Sequence, residues 1–373
     1  MADPVAGSPG GCVRRGRTLL AVNGDHDLSD LEPARLYDWA VACSSTGGVL
    51  GVVEALCARE TRDATEWAAR IACEVVGPDG PAGGRRLVRW TAWRLARRPS
   101  RVALEPLFAG LPERLDRAAE FRACLLQEMA LRFGLDGGPY VAYRERLAEL
   151  GHPLAWLPLA WLDFERRLRD GGWTPGSVLG SPRPAQLRSR YAEVPPTAAG
   201  AAAGRGAREV REVARGAAVV APFGDEGAQD VRFYVLPGPL DPVDWNAALL
   251  AGLPAPCLAG TSTRTMAAVH TTADDVLCDL FVAAFGGGLW GEPGMGAYGR
   301  LLAWRGLYAL MGLGAEVSPY DAVRRAAEHR WLRFAVERHG GNDWFCGDLT
   351  DVAFAVLDPG RTRAAVLAHT ETD

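Results

Sequence analysis

From Leu31 to Asp170 the apolar side chains recur at helical spacing, and beyond residue 217 they fall into short runs of β-type residues. One element cannot satisfy both patterns. A helix lines up positions i, i+3, i+4 and i+7, whereas a strand alternates every second residue. Leu36, Trp39, Ala40 and Cys43 form the first helical stripe, with Pro33 where a first turn tolerates it. Ala118, Phe121, Leu125 and Met129 form a second stripe. Leu154, Leu157, Trp161, Phe164 and Leu168 form a third, kinked or restarted at Pro158. Breaks at Ser44–Gly48, Gly77–Gly84, Pro99–Ser100, Gly110–Pro112 and Asp136–Pro139 divide the region into short helices, at the loop spacing of packed antiparallel neighbours.

Residues 182–217 change character: they are rich in arginine and carry Pro195-Pro196 and an Ala/Gly run from Ala198 to Gly206, a linker composition. Ala218–Phe223 and Val231–Leu236 then read as strands, Asp241–Leu250 as a helix and Met266–His270 as a strand. Thr271 or Thr272, with Asp274 or Asp275 three residues on, is a capping box opening a helix to Phe285. Leu301, Trp304, Tyr308 and Met311 share one helical face that stops near Gly312 and Gly314. Ser318-Pro319-Tyr320-Asp321 supplies a cap, a proline at the first helical position and a carboxylate in the first turn. Val352–Leu357 and Ala364–His369 flank Asp358-Pro359-Gly360 as a terminal hairpin. The expected class is α+β: a tail (1–30), an α-helical array (31–181), a flexible linker (182–217) and a C-terminal α/β domain (218–373) ending in a β-hairpin.

Composition bounds the chemistry. All 41 basic side chains are arginine, so Schiff-base catalysis, a lysine general base and the lysines of P-loops and kinases are excluded. Isoleucine occurs only at Ile71, and asparagine only at Asn23, Asn246 and Asn342, the signature of GC-rich coding, which accounts for most of the arginine abundance and leaves a smaller share for selected phosphate recognition. With 45 carboxylates the net charge is −4, which leaves no basic excess for a nucleic acid. The longest apolar stretch, Val276 to Trp290, is interrupted by Asp279, so no membrane span is expected. Arg14-Arg15 precede only Leu19–Val22, too short for a signal sequence, and a cytoplasmic location follows by default. The eight cysteines include no C-x-x-C pair and the histidines no H-x-x-x-H pair, so neither a metal nor a cofactor is expected.

Individual motifs are weak. Gly294-Met295-Gly296-Ala297-Tyr298-Gly299 matches G-x-G-x-x-G, yet no strand precedes it as a dinucleotide site requires. Asn23-Gly24-Asp25-His26-Asp27 matches one fragment of a metallophosphoesterase site without its partners. Cys257 and Arg264 are spaced one residue too far apart for a cysteine phosphatase loop, and there is no G-x-S-x-G elbow. A Cys–His pair such as Cys346 or Cys278 with His369 or His270 would need the fold to bring it together. Aromatic and polar residues concentrate in the C-terminal third. Tyr298, Arg300, Trp304, Arg305, Asp343 and Trp344 are the candidate pocket residues, since an arginine on an apolar helical face must meet a carboxylate or face a cleft.

The same third resembles a family of unknown function from high-GC actinobacteria, the domain of unknown function 6183 family. The resemblance rests on Gly296-Ala297-Tyr298-Gly299-Arg300-Leu301, Ala303-Trp304-Arg305, Trp344-Phe345 and Ala365 through Asp373, and covers about residues 286–373. It implies no activity. Cys346-Gly347-Asp348 departs from the apolar strand expected there. The function expected from the residues is that of a noncatalytic binding or protein-interaction protein, its partner another protein or a small ligand. The alternative is a hydrolase or transferase with a Cys/His/Asp/Arg site in the C-terminal domain.

Overall fold

Helix starts in this chain are written in short polar side chains. In the computed structural model, Thr61, Asp116, Thr272 and Ser318 each accept a hydrogen bond from the backbone N–H three residues on, giving a first-turn donor the partner it otherwise lacks. The structure describes residues 28–371 apart from 76–79, 99–100, 136, 171, 175–176, 178, 225–226, 288–290, 338–341 and 346–349. The Asn23–Asp27 motif, Cys12, Trp290 and Cys346-Gly347-Asp348 therefore lie outside the described residues.

The N-terminal half holds α1 (Pro33–Ala42), α2 (Thr46–Ala58), α3 (Arg62–Glu74), α4 (Gly80–Ala96), α5 (Arg117–Phe133), α6 (Pro139–Glu149) and α7 (Arg166–Asp170). Next come α8 (Pro184–Arg190), α9 (Ala198–Gly206), β1 (Arg208–Val210), α10 (Val213–Val220), β2 (Ala228–Val235) and α11 (Ala247–Gly252). The chain closes with β3 (Met266–Thr271), α12 (Ala273–Gly286), α13 (Met295–Met311), α14 (Pro319–Glu328), β4 (Arg330–Val336), β5 (Thr350–Leu357) and β6 (Arg363–Glu371). The fold is α+β, and among the described residues six strands form one antiparallel sheet in the order β1-β2-β6-β5-β4-β3.

Both faces of the sheet are covered. Phe233, Trp331, Phe354 and Leu367 point into a core that continues through Trp304 and Phe281 to Phe121, Leu56 and Leu36 of the helix array. Their neighbours Tyr234, Leu332, Ala355 and Val366 face a second core containing Trp245, Leu249 and Cys257. Burial on two faces explains why β5 and β6 read as unbroken apolar runs rather than as alternating ones. The predicted hairpin matches β5 and β6, with Asp358 accepting from the backbone of Thr362 and Arg363 at 2.8 and 2.7 Å.

Two local expectations are corrected. Ala218–Phe223 is the end of α10 followed by a 3-10 turn at Ala221–Phe223, since a short apolar run cannot distinguish helix from strand and this one packs on α13. The Leu154–Leu168 stripe is two 3-10 turns, Pro153–Trp156 and Asp163–Glu165, leading into α7. Pro153 and Pro158 remove the backbone donors a continuous helix would need. Residues 182–217, the expected linker, carry α8, α9, β1 and the start of α10. The Ala/Gly run is α9, and α11 approaches it so closely that a Cβ on Gly204 would collide with the Leu249 carbonyl.

Candidate functional site

Arg300 lies in the middle of α13 with no exposed side-chain surface, and each of its five N–H donors finds an acceptor. Nε and Nη2 grip Glu165 at 2.6 and 2.7 Å, Nη1 donates to Gln127 Oε1 and the Pro158 carbonyl at 2.8 Å each, and Nη2 also reaches the Ala160 carbonyl at 3.2 Å. Glu165 is equally saturated, taking the Trp304 indole N–H at 2.7 Å and the Leu162 backbone N–H at 3.0 Å. Arg300 and Trp304, one turn apart on α13, therefore tie it to the loop before α7. Nothing in this pair is left to bind a ligand.

A second polar cluster surrounds the start of α13. His152 Nδ1 accepts from the Leu154 N–H at 3.2 Å, so its Nε2–H donates to Glu120 at 2.8 Å. Burial pushes the Glu120 carboxyl up, and the hydrogen bonds it accepts, that from His152 foremost, outweigh it, leaving Glu120 below the usual range. Tyr298 packs under the Arg89 guanidinium at 4.2 Å, and burial together with the Glu120 charge holds its phenol far above its ordinary value. Glu128 accepts from the Ala297 N–H at 2.9 Å, and burial drives its carboxyl up to about 8 despite that bond. A Cβ on Gly296 would meet the Glu128 carboxylate. The G-x-G-x-x-G match is thus a close-packing device at the start of α13.

A large open cleft of about 1690 Å³ lies between the C-terminal ends of α6 and α13, α10, α14 and the β1-β2-β6 end of the sheet. Trp156, Tyr308 and Phe233 give it aromatic walls, with the first two rings meeting edge-to-face at 5.0 Å. Arg144, Arg208, Arg215, Arg305, Arg325 and Arg363 line it against the carboxylates of Glu212, Glu328 and Asp358. Arg215 pairs with Glu212 at 3.0 Å and donates to the Ala309 and Leu310 carbonyls that end α13. Arg208, Arg305, Arg325 and Arg363 form no ion pair among the described residues, and all four are exposed. Among the described residues, the lining holds no serine, threonine or cysteine. Both ring nitrogens of His152, which faces the cleft, are occupied.

The six sequence candidates do not share one pocket. Arg300 and Trp304 are in the buried lock, Tyr298 is half-buried by Arg89, and only Arg305 lines the cleft. Asp343 and Trp344 lie across the sheet, where Trp344 stacks edge-to-face on Phe345 at 4.7 Å against the second core. No hydrogen bond joins a described cysteine to a histidine: Cys278 is buried in α12, and His369 stacks on Phe223 at 4.4 Å. Burial pushes the Cys57 thiol up to about 12 and Cys73 to about 11, and Cys43, Cys124, Cys257 and Cys278 are raised as well, which keeps these sulfurs protonated and poorly nucleophilic.

The profile of DUF6183, a family of unknown function, matches residues 40–373. The chain belongs to this family. The DUF6183 match takes in the helix array as well as the C-terminal third, so the likeness expected for residues 286–373 extends over nearly the whole chain. No curated protein and no solved structure matches it. Within this DUF6183 chain, the cleft also gathers Arg144, Arg208, Arg215, Arg325 and Arg363, none of them a candidate from the sequence. Nothing in the sequence sets them apart, since most have a carboxylate within a few positions and they are five among 41 arginines.

Proposed function

We propose that the chain is a noncatalytic cytosolic binding protein that takes an anionic partner into the arginine-lined cleft. The observation that carries this reading is the set Arg208, Arg305, Arg325 and Arg363, four cations on one cleft with no ion-pair partner among the described residues. Unpaired guanidiniums beside aromatic walls favour carboxylate or phosphate groups, which they can grip bidentately. Binding without chemistry is supported by the described lining residues, which offer no hydroxyl of serine or threonine and no thiol, and by the protonated state of the buried cysteines. A net charge of −4 does not oppose this, because association responds to the local field of the cleft. The test is calorimetric titration at low salt with polyglutamate and polylysine. The reading expects heat with polyglutamate alone, weakened by added salt. Binding of polylysine with equal affinity would sink it.

A further inference from the structure

The cleft is larger than a small-molecule site requires. Such pockets run to about 300–1,000 Å³, against about 1690 Å³ for this cleft. It also borders a backbone with unused hydrogen-bonding capacity. β1 is the edge strand of the sheet, paired on one side only, with β2 from Arg208↔Val235 to Val210↔Phe233. Its three residues make no backbone hydrogen bond beyond that ladder among the described residues. An edge of this kind is a template for a further strand. At the opposite edge β3 already meets Glu193 through an isolated bridge at Val269, and α8 lies against it.

The side chains of β1 divide as strand geometry demands. Glu209 turns to the face where Arg232 takes it at 2.9 Å, while Arg208 and Val210 turn into the cleft. A strand added beside β1 would follow the same alternation, placing every second side chain over the cleft among Arg208, Arg305, Arg325 and Arg363. We infer that the occupant of the cleft is an acidic polypeptide segment lying extended along β1 as a seventh strand, its backbone paired with Arg208–Val210 and its carboxylates meeting the unpaired arginines. Main-chain pairing supplies affinity in this mode, and alternate side chains supply specificity. The inference rests on the reading of the cleft as an anion-binding site and adds what the anion belongs to.

The experiment compares three probes on the full chain by calorimetry: a capped peptide of alternating glutamate and valine, the same peptide N-methylated either at its glutamates or at its valines, and inorganic polyphosphate. Hydrogen exchange of the segment containing β1 is followed in parallel. The expected result is that the unmodified peptide binds, that one of the two methylated forms binds at least about tenfold more weakly, and that exchange across β1 slows on binding. Equal binding of all three peptides with unchanged exchange at β1 overturns the strand while leaving the anion site intact. Binding of polyphosphate alone does the same. Failure of every probe to bind overturns the strand and the anion site together.

Discussion

Arg300 and Glu165 stand 135 residues apart in sequence and meet through two hydrogen bonds of 2.6 and 2.7 Å, both side chains wholly buried. Removing one partner of such a pair strands a charge in the core and costs about 3–5 kcal/mol, whereas replacing both by apolar residues is far milder. Arg300→Met alone is expected to lower stability by about 3–5 kcal/mol in urea unfolding, and Glu165→Leu with Arg300→Met by markedly less. Equal losses for the single and double variants would show that the pair is not the lock described.

Gly296 lets the first turn of α13 settle onto the Glu128 carboxylate, and a Cβ there would also lie 2.9 Å from Leu131 Cδ1. Gly296→Ala should cost about 1–3 kcal/mol through overpacking, although alanine is the better helix former. Thermal unfolding checks it, and a stabilised variant would contradict the close approach.

Glu128 also sets a pH dependence. Its carboxyl is held at about 8 in the fold by burial, so the folded state retains a proton that the unfolded chain has already released. That contribution is complete at low pH and is lost as pH rises through about 8. His369 works in the opposite sense: burial holds it at about 4, and its contribution is lost as pH falls from about 6.5 toward that value. Between about pH 6.5 and 8 the Glu128 effect should dominate these two, with a slope approaching about −1.4 kcal/mol per pH unit. Glu128→Gln should flatten that limb in denaturant midpoints measured across the range.

The thiols give a further check. Cys124 and Cys257 are buried and raised, and should resist alkylation in the native protein and react on unfolding, as read by peptide mass mapping. Rapid native labelling of either would reopen thiol catalysis.

Much of the fold was legible because its signals are local. Thr272 and Ser318 cap helices where their sequences say so, and the Asp358-Pro359-Gly360 turn joins β5 to β6. The site was not legible, because its pairings are long-range. Arg300 carried a true signal, an arginine on an apolar face, but that signal does not say whether Glu165 or a cleft answers it. Arg208 sits in a stretch whose composition reads as a linker, and only pairing with β2 turns it toward the cleft. The Ala198–Gly206 run was ambiguous for the same reason, since glycines that suit a linker also let α9 press against α11.

The most direct measurement is polyglutamate affinity for two charge-reversed forms, Arg305→Glu with Arg325→Glu in the cleft, and Arg62→Glu on the exposed surface of α3. The account predicts that the cleft variant loses at least about tenfold in affinity while the surface variant binds as the unaltered chain does. Equal affinity in all three, or equal losses in both variants, would contradict it.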